Sequence, residues 1–279
     1  MNNPKSQNSH ETKQLTAGQV PKFSTQNTIQ KAQALHISNI GFADFQAMAL
    51  QPGLDKYEKI GFPTSYRKGK EQAIFQDILR KCSILESTEK KVLDIGSGCS
   101  DLPTLLMEHC AAQSHELIFF DSQEMLDLLP DVAHVRKVAG FYPECPELIE
   151  ELQDQLDCIL VYSVAQYIFS EGNFWKFVDT SLSLLKPGGQ MLIGDLPNNS
   201  KRKRFFSSEA GREYHKAYTQ TNTEPPLNYN VLEPGQMDDS VVMSILMRCR
   251  GHGFDAYIMP QLAELPMANR REDILIVRP

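Results

Sequence analysis

The chain predicts a doubly wound, mostly parallel α/β sheet. Three observations carry that expectation. An apolar strand, Val92–Ile95, runs straight into a glycine turn, Gly96-Ser97-Gly98, and then into a helical stretch. Further buried-strand runs follow at Leu117–Phe120, Leu156–Tyr162 and Met191–Ile193. Between the last two lies an amphipathic helix, Phe174–Leu185, with Phe174, Phe177, Val178, Leu182 and Leu185 at helical spacing. Strands alternating with helices indicate parallel pairing with helices on both faces.

The first strand and its turn are the most informative stretch. Glycine permits a sharp turn and a ligand's approach to van der Waals distance, and a strand–turn–helix unit of this kind forms the nucleotide-binding edge of such a sheet. A dinucleotide site has a third glycine so that a pyrophosphate can sit on the helix N-terminus. Here the turn continues Cys99-Ser100-Asp101-Leu102-Pro103, which places a carboxylate where a phosphate needs positive potential. Asp94, within the strand, adds a second acid. Both suit a cationic ligand. S-adenosylmethionine has an adenosine, an ammonium and a sulfonium, and no phosphate.

The second strand ends at Asp121, within the distance expected for a ribose-binding acid. The third, Leu156–Tyr162, leads into Ser163-Val164-Ala165-Gln166-Tyr167. The helix 174–185 stops at Lys186-Pro187-Gly188-Gly189, and the next strand ends at Gly194-Asp195.

With these residues in order, the chain resembles a class I S-adenosylmethionine-dependent methyltransferase. Val-Leu-Asp-Ile-Gly-Ser-Gly (92–98) matches the first motif of that family, Asp121 the acid closing the second strand, and Leu-Leu-Lys-Pro-Gly-Gly (184–189) the turn before the fifth. The resemblance spans roughly residues 90–279, about one domain's length. It implies a Rossmann-like, seven-stranded sheet, S-adenosylmethionine as methyl donor and S-adenosylhomocysteine as product. It implies donor contacts at Asp94, Gly96, Ser97, Gly98 and Ser163, with either Asp121 or Ser122 facing the ribose. The adenine is expected near Gly140-Phe141-Tyr142, where Phe141 stands in place of the acid that similar enzymes carry.

Composition is that of a soluble cytoplasmic enzyme. At 279 residues the chain can bury one substantial core and a smaller appendage. No apolar run reaches membrane-spanning length and the N-terminus is polar. The net charge of −7 argues against nucleic-acid binding. The six cysteines form no Cys-x-x-Cys pair and read as reduced, buried thiols. No His/Asp/Glu cluster has metal-ligand spacing, so a metal is not expected. Monomer and homodimer are both open.

Three zones follow. Residues 1–35 are rich in Asn, Gln, Ser, Thr and Lys and are expected to be disordered or loosely attached. Residues 36–90 carry short helical patterns (Phe42, Phe45, Met48, Ala49; Ile74, Phe75, Ile78, Leu79) and are expected to form a helical cap. Residues 91–279 form the catalytic domain, with a long insertion at 195–237 as a substrate lid.

Ligands in open α/β sheets bind outside the carboxyl ends of the strands. His109, His115, His134 and His252 each precede a strand and belong on the opposite rim. Only His36 in the cap and His215 in the insertion can approach the chemistry, and an ordinary surface role for His215 stays open. Asp195 and Tyr167 fall on the correct rim, with Gln166 beside the acceptor. The insertion carries Lys201-Arg202-Lys203-Arg204-Phe205-Phe206, then Arg212, Tyr214, His215 and Tyr218. One reading is an anionic-acceptor site in which arginines supply bidentate contacts; the other is a solvated loop. Tyr57, Tyr66 and Arg67 either close the pocket from the cap or pack within it.

The expected reaction is in-line transfer of a methyl group to a small-molecule acceptor, most simply an oxygen of an anionic or sugar-type metabolite. Its proton would be removed by His215, Asp195 or a tyrosine. The cap and the basic segment make the chain similar to small-molecule or sugar methyltransferases of bacterial biosynthetic clusters. A methyltransferase-like binding subunit without catalysis and a nicotinamide-dependent oxidoreductase are the competing classes.

Overall fold

A computed structural model describes residues 40–231 and 233–279; His36 and residues 1–35 lie outside them. Seven strands make one sheet: β1 (Lys91–Ile95), β2 (Glu116–Asp121), β3 (Val135–Ala139), β4 (Leu156–Tyr162), β5 (Leu185–Pro197), β6 (Asp255–Met259) and β7 (Arg271–Val277). The order is β3-β2-β1-β4-β5-β7-β6. Pairing is parallel from β3 to β5, and β7 runs antiparallel to both β5 and β6. The chain reverses direction between β1 and β4, so a crevice opens at their carboxyl ends.

The central strands are apolar throughout because both faces are covered. On one face Leu93, Ile95, Ile118, Ile159, Val161 and Ile193 pack beneath α7 (Pro146–Leu152), α8 (Ala165–Glu171), α9 (Phe174–Leu184) and α12 (Asp239–Gly251). On the other, Val92, Leu117, Phe119, Leu160 and Leu192 pack beneath α4 (Glu71–Lys81) and α5 (Asp101–Ala112). Fully burying one such aliphatic side chain stabilises by about 1.5–3 kcal/mol.

The stretch 36–90 therefore divides. Ile74, Phe75, Ile78 and Leu79 form a stripe broad enough to bury on the sheet, and α4 is part of that layer. The cap proper is α1 (Phe42–Ala49), α2 (Lys56–Lys59) and α3 (Thr64–Arg67), resting on Cys99 and on Met125 of α6 (Gln123–Leu126) through Phe45, Ala49 and Ile60. The insertion also differs from a loop. Asn198 caps α10 (Asn199–Ser207) by accepting from the Lys201 amide, and Ser208 caps α11 (Glu209–Thr219) through the Gly211 amide. The basic run is helical because a good N-cap precedes it and Lys and Arg are good helix formers.

All six cysteines are free, and all but Cys145 are buried. No helix among the described residues is long and apolar enough to cross a membrane.

Candidate active site

The site is built on the turn after β1. Gly96 and Gly98 have φ of +73° and +66°, a region that L side chains avoid. Space adds a second constraint. A Cβ on Gly96 would lie 2.5 Å from Val164 Cγ2, and one on Gly98 would lie 2.8 Å from Ile60 Cγ2. The turn is thus held between the segment after β4 and the cap. Asp121 closes it from β2: Oδ2 accepts from the Gly98 amide at 2.9 Å and Oδ1 from the Ser122 amide at 2.7 Å.

A cavity opens above this turn, with about 130 Å³ in which the centre of a water-sized sphere can move. One water occupies roughly 10–15 Å³ by that measure, so a nucleoside-sized group has room. Its floor is Gly96, Ser97 and Gly98; one wall is Asp121, Met125, Gly140 and Phe141; another is Ser163, Val164 and Tyr167; and the cap closes it with Phe42, Phe45, Phe62 and Arg67. Of the residues singled out from sequence, Gly96, Ser97, Gly98, Asp121, Gly140, Phe141, Ser163, Tyr167 and Arg67 all border this space. Ser122 does not. Its hydroxyl accepts from the Met125 amide and caps α6, which leaves Asp121 as the acid facing the cavity.

Two carboxylates define the electrostatics. Asp94 lies on the Val92 face of β1, behind the turn and off the cavity wall. Burial, reinforced by the negative charge of Asp121, pushes its carboxyl up to about 8. Burial raises Asp121 to about 6, against the lowering effect of its two amide donors. Neither acid has an ion-pair partner among the described residues.

A charged network backs the β4 side. Arg67 of α3 donates to Ser163 Oγ, and its NH2 lies 3.5 Å from Asp195 Oδ2. Ser163 in turn donates to Asp195 Oδ2 at 2.6 Å. Arg271 Nε stands 3.7 Å from the other Asp195 oxygen, and Asp273 Oδ1 accepts from the Asp195 amide at 2.8 Å. Asp195 sits where the β5–β7 register shifts, and a bulge of this kind re-aims a side chain. Ser163 and Asp195 both have positive φ, +63° and +57°, conformations that non-glycine residues hold at a cost of about 1–3 kcal/mol and that cluster at functional sites.

Several buried polar atoms have no partner among the described residues: Arg67 Nε, Ser97 Oγ, the Tyr167 hydroxyl, Gln166 Oε1 and both Glu71 oxygens. The residues of the first three border the cavity. Buried polar groups are nearly always satisfied, so these mark where a polar ligand belongs.

The remaining expected residues stand back from the cavity. Tyr57 donates to Asp101 Oδ2 at 2.7 Å, and with Lys56 it ties the cap to the start of α5. Gln166 donates to the Ser163 carbonyl at 2.8 Å. Tyr66 meets Tyr218 at 3.0 Å, oxygen to oxygen. Arg204 pairs with Asp239, Arg212 donates to the Ser207 carbonyl, and Arg202 lies over the Phe206 ring. His215 is on α11, its ring 6.2 Å from that of Phe206. Three of the opposite-rim histidines hold backbone, His109 and His115 at the Leu85 carbonyl and His134 at the Met107 carbonyl, and His252 stands 3.7 Å from Asp179.

Sequence reading missed Glu171, Phe42 and Phe45 as wall residues and Arg271 as partner of Asp195. Glu171 Oε2 accepts from the Phe42 amide at 2.8 Å, beside the edge-on Phe42–Phe141 pair. That pairing depends on a cap-to-helix contact no local motif announces.

No family model and no curated protein matches the chain. Solved structures do. The plantazolicin methyltransferase BamL, solved with S-adenosylhomocysteine, superposes with a TM-score of 0.54 at 14% identity, covering 91% of this chain and 99% of that one. The N-methyltransferase NodS from Bradyrhizobium japonicum WM9, also solved with S-adenosylhomocysteine, gives 0.51 at 14% identity over 85% and 98%. The plantazolicin methyltransferase BpumL gives 0.51 at 13% over 91% and 98%. The fold is that of the class I methyltransferases. The cavity occupies the carboxyl edge of β1, β2 and β4, and the cap closes over it.

Proposed function

We propose that the protein is an S-adenosylmethionine-dependent methyltransferase acting on a small-molecule acceptor, an oxygen of an anionic or sugar-type metabolite. The observation that carries this reading is the pair of buried acids, Asp94 and Asp121, behind and beside a glycine turn with no cation to meet them. Two buried acids without a cationic partner favour a cationic ligand, which would draw them towards their ionised forms. The methyltransferase structures solved with S-adenosylhomocysteine support the same donor.

The residues fit this donor. Asp121 would hold the ribose hydroxyls, Gly140 and Phe141 with Glu171 would enclose the adenine, and Ser97 and the turn amides would meet the methionine portion. When bound, the donor supplies an activated methyl group open to in-line displacement. The protein's task is then to align the acceptor and exclude water, and the apolar cap residues Phe42, Phe45, Ile60 and Phe62 exclude water.

Ser163, Tyr167 and Arg67 form the acceptor side. Burial raises the Tyr167 phenol above its ordinary range, so it stays protonated and orients the acceptor as a hydrogen-bond donor. Asp195 reaches the cavity through Ser163. A proton leaving an acceptor hydroxyl passes to Ser163 Oγ as the Ser163 proton moves to Asp195, 2.6 Å away. Arg67 and Arg271 hold Asp195 for that role, and His215 stays with the lid. Calorimetry with S-adenosylmethionine, S-adenosylhomocysteine and NAD tests the reading. Micromolar binding of both sulfur compounds is expected, and a heat signal for NAD alone would refute it.

A further inference from the structure

The basic segment of the lid does not behave uniformly. Lys203 pairs with Glu233, Arg204 with Asp239, Arg212 with Glu224 and Lys216 with Glu213, and Lys201 donates to the Arg271 carbonyl. Among the described residues Arg202 has no such partner. Neither has Arg270, which ends the short 3-10 turn Ala268–Arg270 before β7. Both guanidinium groups lie against one ring, 5.3 and 5.8 Å from the centroid of Phe206. Both are half-buried, and Arg270 Nε is sealed from solvent without an acceptor. Burial and the charge of Arg270 together hold Arg202 below the usual arginine range. The acid whose charge reaches Arg202, Glu233, is already held by Asn199 and Lys203.

Two unneutralised, planar, fork-shaped donors sharing an aromatic ring suit a carboxylate or phosphate. The neighbourhood suits the rest of such a ligand. Tyr66 and Tyr218 meet hydroxyl to hydroxyl at 3.0 Å, the Tyr214 and Tyr218 rings are parallel within 4°, and His215 edges onto Phe206. Arg270 is close enough to act on the Tyr66 phenol. Tyr66 precedes Arg67, whose guanidinium borders the cavity, so these groups stand at the seam of cap and lid next to the acceptor side.

We propose that Arg202 and Arg270 form the anion site of the acceptor, binding a carboxylate or phosphate on a compound whose reacting hydroxyl enters the cavity. This rests on the methyltransferase reading above. Isothermal titration of the full chain loaded with S-adenosylhomocysteine tests it with three probes: 4-hydroxybenzoate, phenyl phosphate and the neutral 4-hydroxybenzyl alcohol. Binding of at least one anion tenfold or more tighter than the alcohol is expected, and the preferred anion names the group. Arg270→Gln and Arg202→Gln should each weaken the anion tenfold or more while S-adenosylhomocysteine affinity stays within twofold, which also reports that the variant is folded. Should Arg270→Gln fail to bind S-adenosylhomocysteine, Arg202→Gln, on a surface helix, decides. Anions binding no better than the alcohol, or equally well after the arginines are replaced, would overturn the proposal. Failure of the wild type to bind S-adenosylhomocysteine would instead refute the methyltransferase reading.

Discussion

Arg67 and Asp195 approach to 3.5 Å although one belongs to the cap and the other to the end of β5, and each side chain is almost fully buried. Ser163 bridges them. The contact fastens the cap to the strand edge beside the cavity wall formed by Ser163, Val164 and Tyr167. It makes cap closure and active-site electrostatics one arrangement.

Replacing Arg67 with Gln should therefore do two things. It leaves Asp195 with Arg271 alone and Ser163 Oγ without its donor, and losing one partner of a buried polar group costs about 1–3 kcal/mol. Urea denaturation should show a loss of that order, together with weaker binding of S-adenosylhomocysteine. Stability unchanged within 0.5 kcal/mol would mean the pair does not hold the cap.

Tyr167→Phe should separate function from stability. Its hydroxyl is buried and unpartnered, so removing it is neutral or stabilising, by up to ~1 kcal/mol. Methyl transfer should nevertheless fall, because the acceptor loses a donor. A thermal scan and a turnover assay on the same preparation check both halves; unchanged turnover would remove Tyr167 from the acceptor side.

Asp121→Ala should weaken donor binding by ~1–3 kcal/mol through loss of hydrogen bonds to the ribose. Calorimetry reads this directly, and an unaltered affinity would displace Asp121 from that role. Ser122→Ala, which removes only a helix cap, should leave donor affinity within a few-fold.

Asp94 predicts the pH dependence of the ligand-free protein. Its carboxyl is raised to about 8 in the fold from about 3.9 in the unfolded chain. Between these values the native state holds the extra proton, so stability falls as pH rises through that window. The slope approaches 1.4 kcal/mol per pH unit for one proton. Asp94→Asn should flatten the Tm profile between pH 5 and 8 and raise Tm at the alkaline end. A profile as steep as the wild type's would assign the slope to other groups.

The sheet was legible because its strands are continuous apolar runs, and Leu156–Tyr162 is bounded in the fold just as its composition suggests. The turn was legible because Gly96 and Gly98 are required both by their φ and by space. Ser163 and Asp195 could be placed on the correct rim by topology alone. Their link to Arg67 and Arg271 could not, since it depends on the β5–β7 register shift and on the cap's docking, both set by contacts far apart in sequence. Which cations of the basic run are neutralised was not legible either. Charge density along the chain is local, whereas its neutralisation by Glu233 and Asp239 is tertiary.

In the proposed function Asp94 and Asp121 await a cationic methyl donor. Titration with S-adenosylmethionine at pH 7 in buffers of different ionisation enthalpy tests it most directly. Binding should be micromolar and should release protons, because a cation favours the ionised acids, and Asp94→Asn should reduce that release. Absence of binding, or binding with no proton released from the wild type, would rule out this role for the two acids.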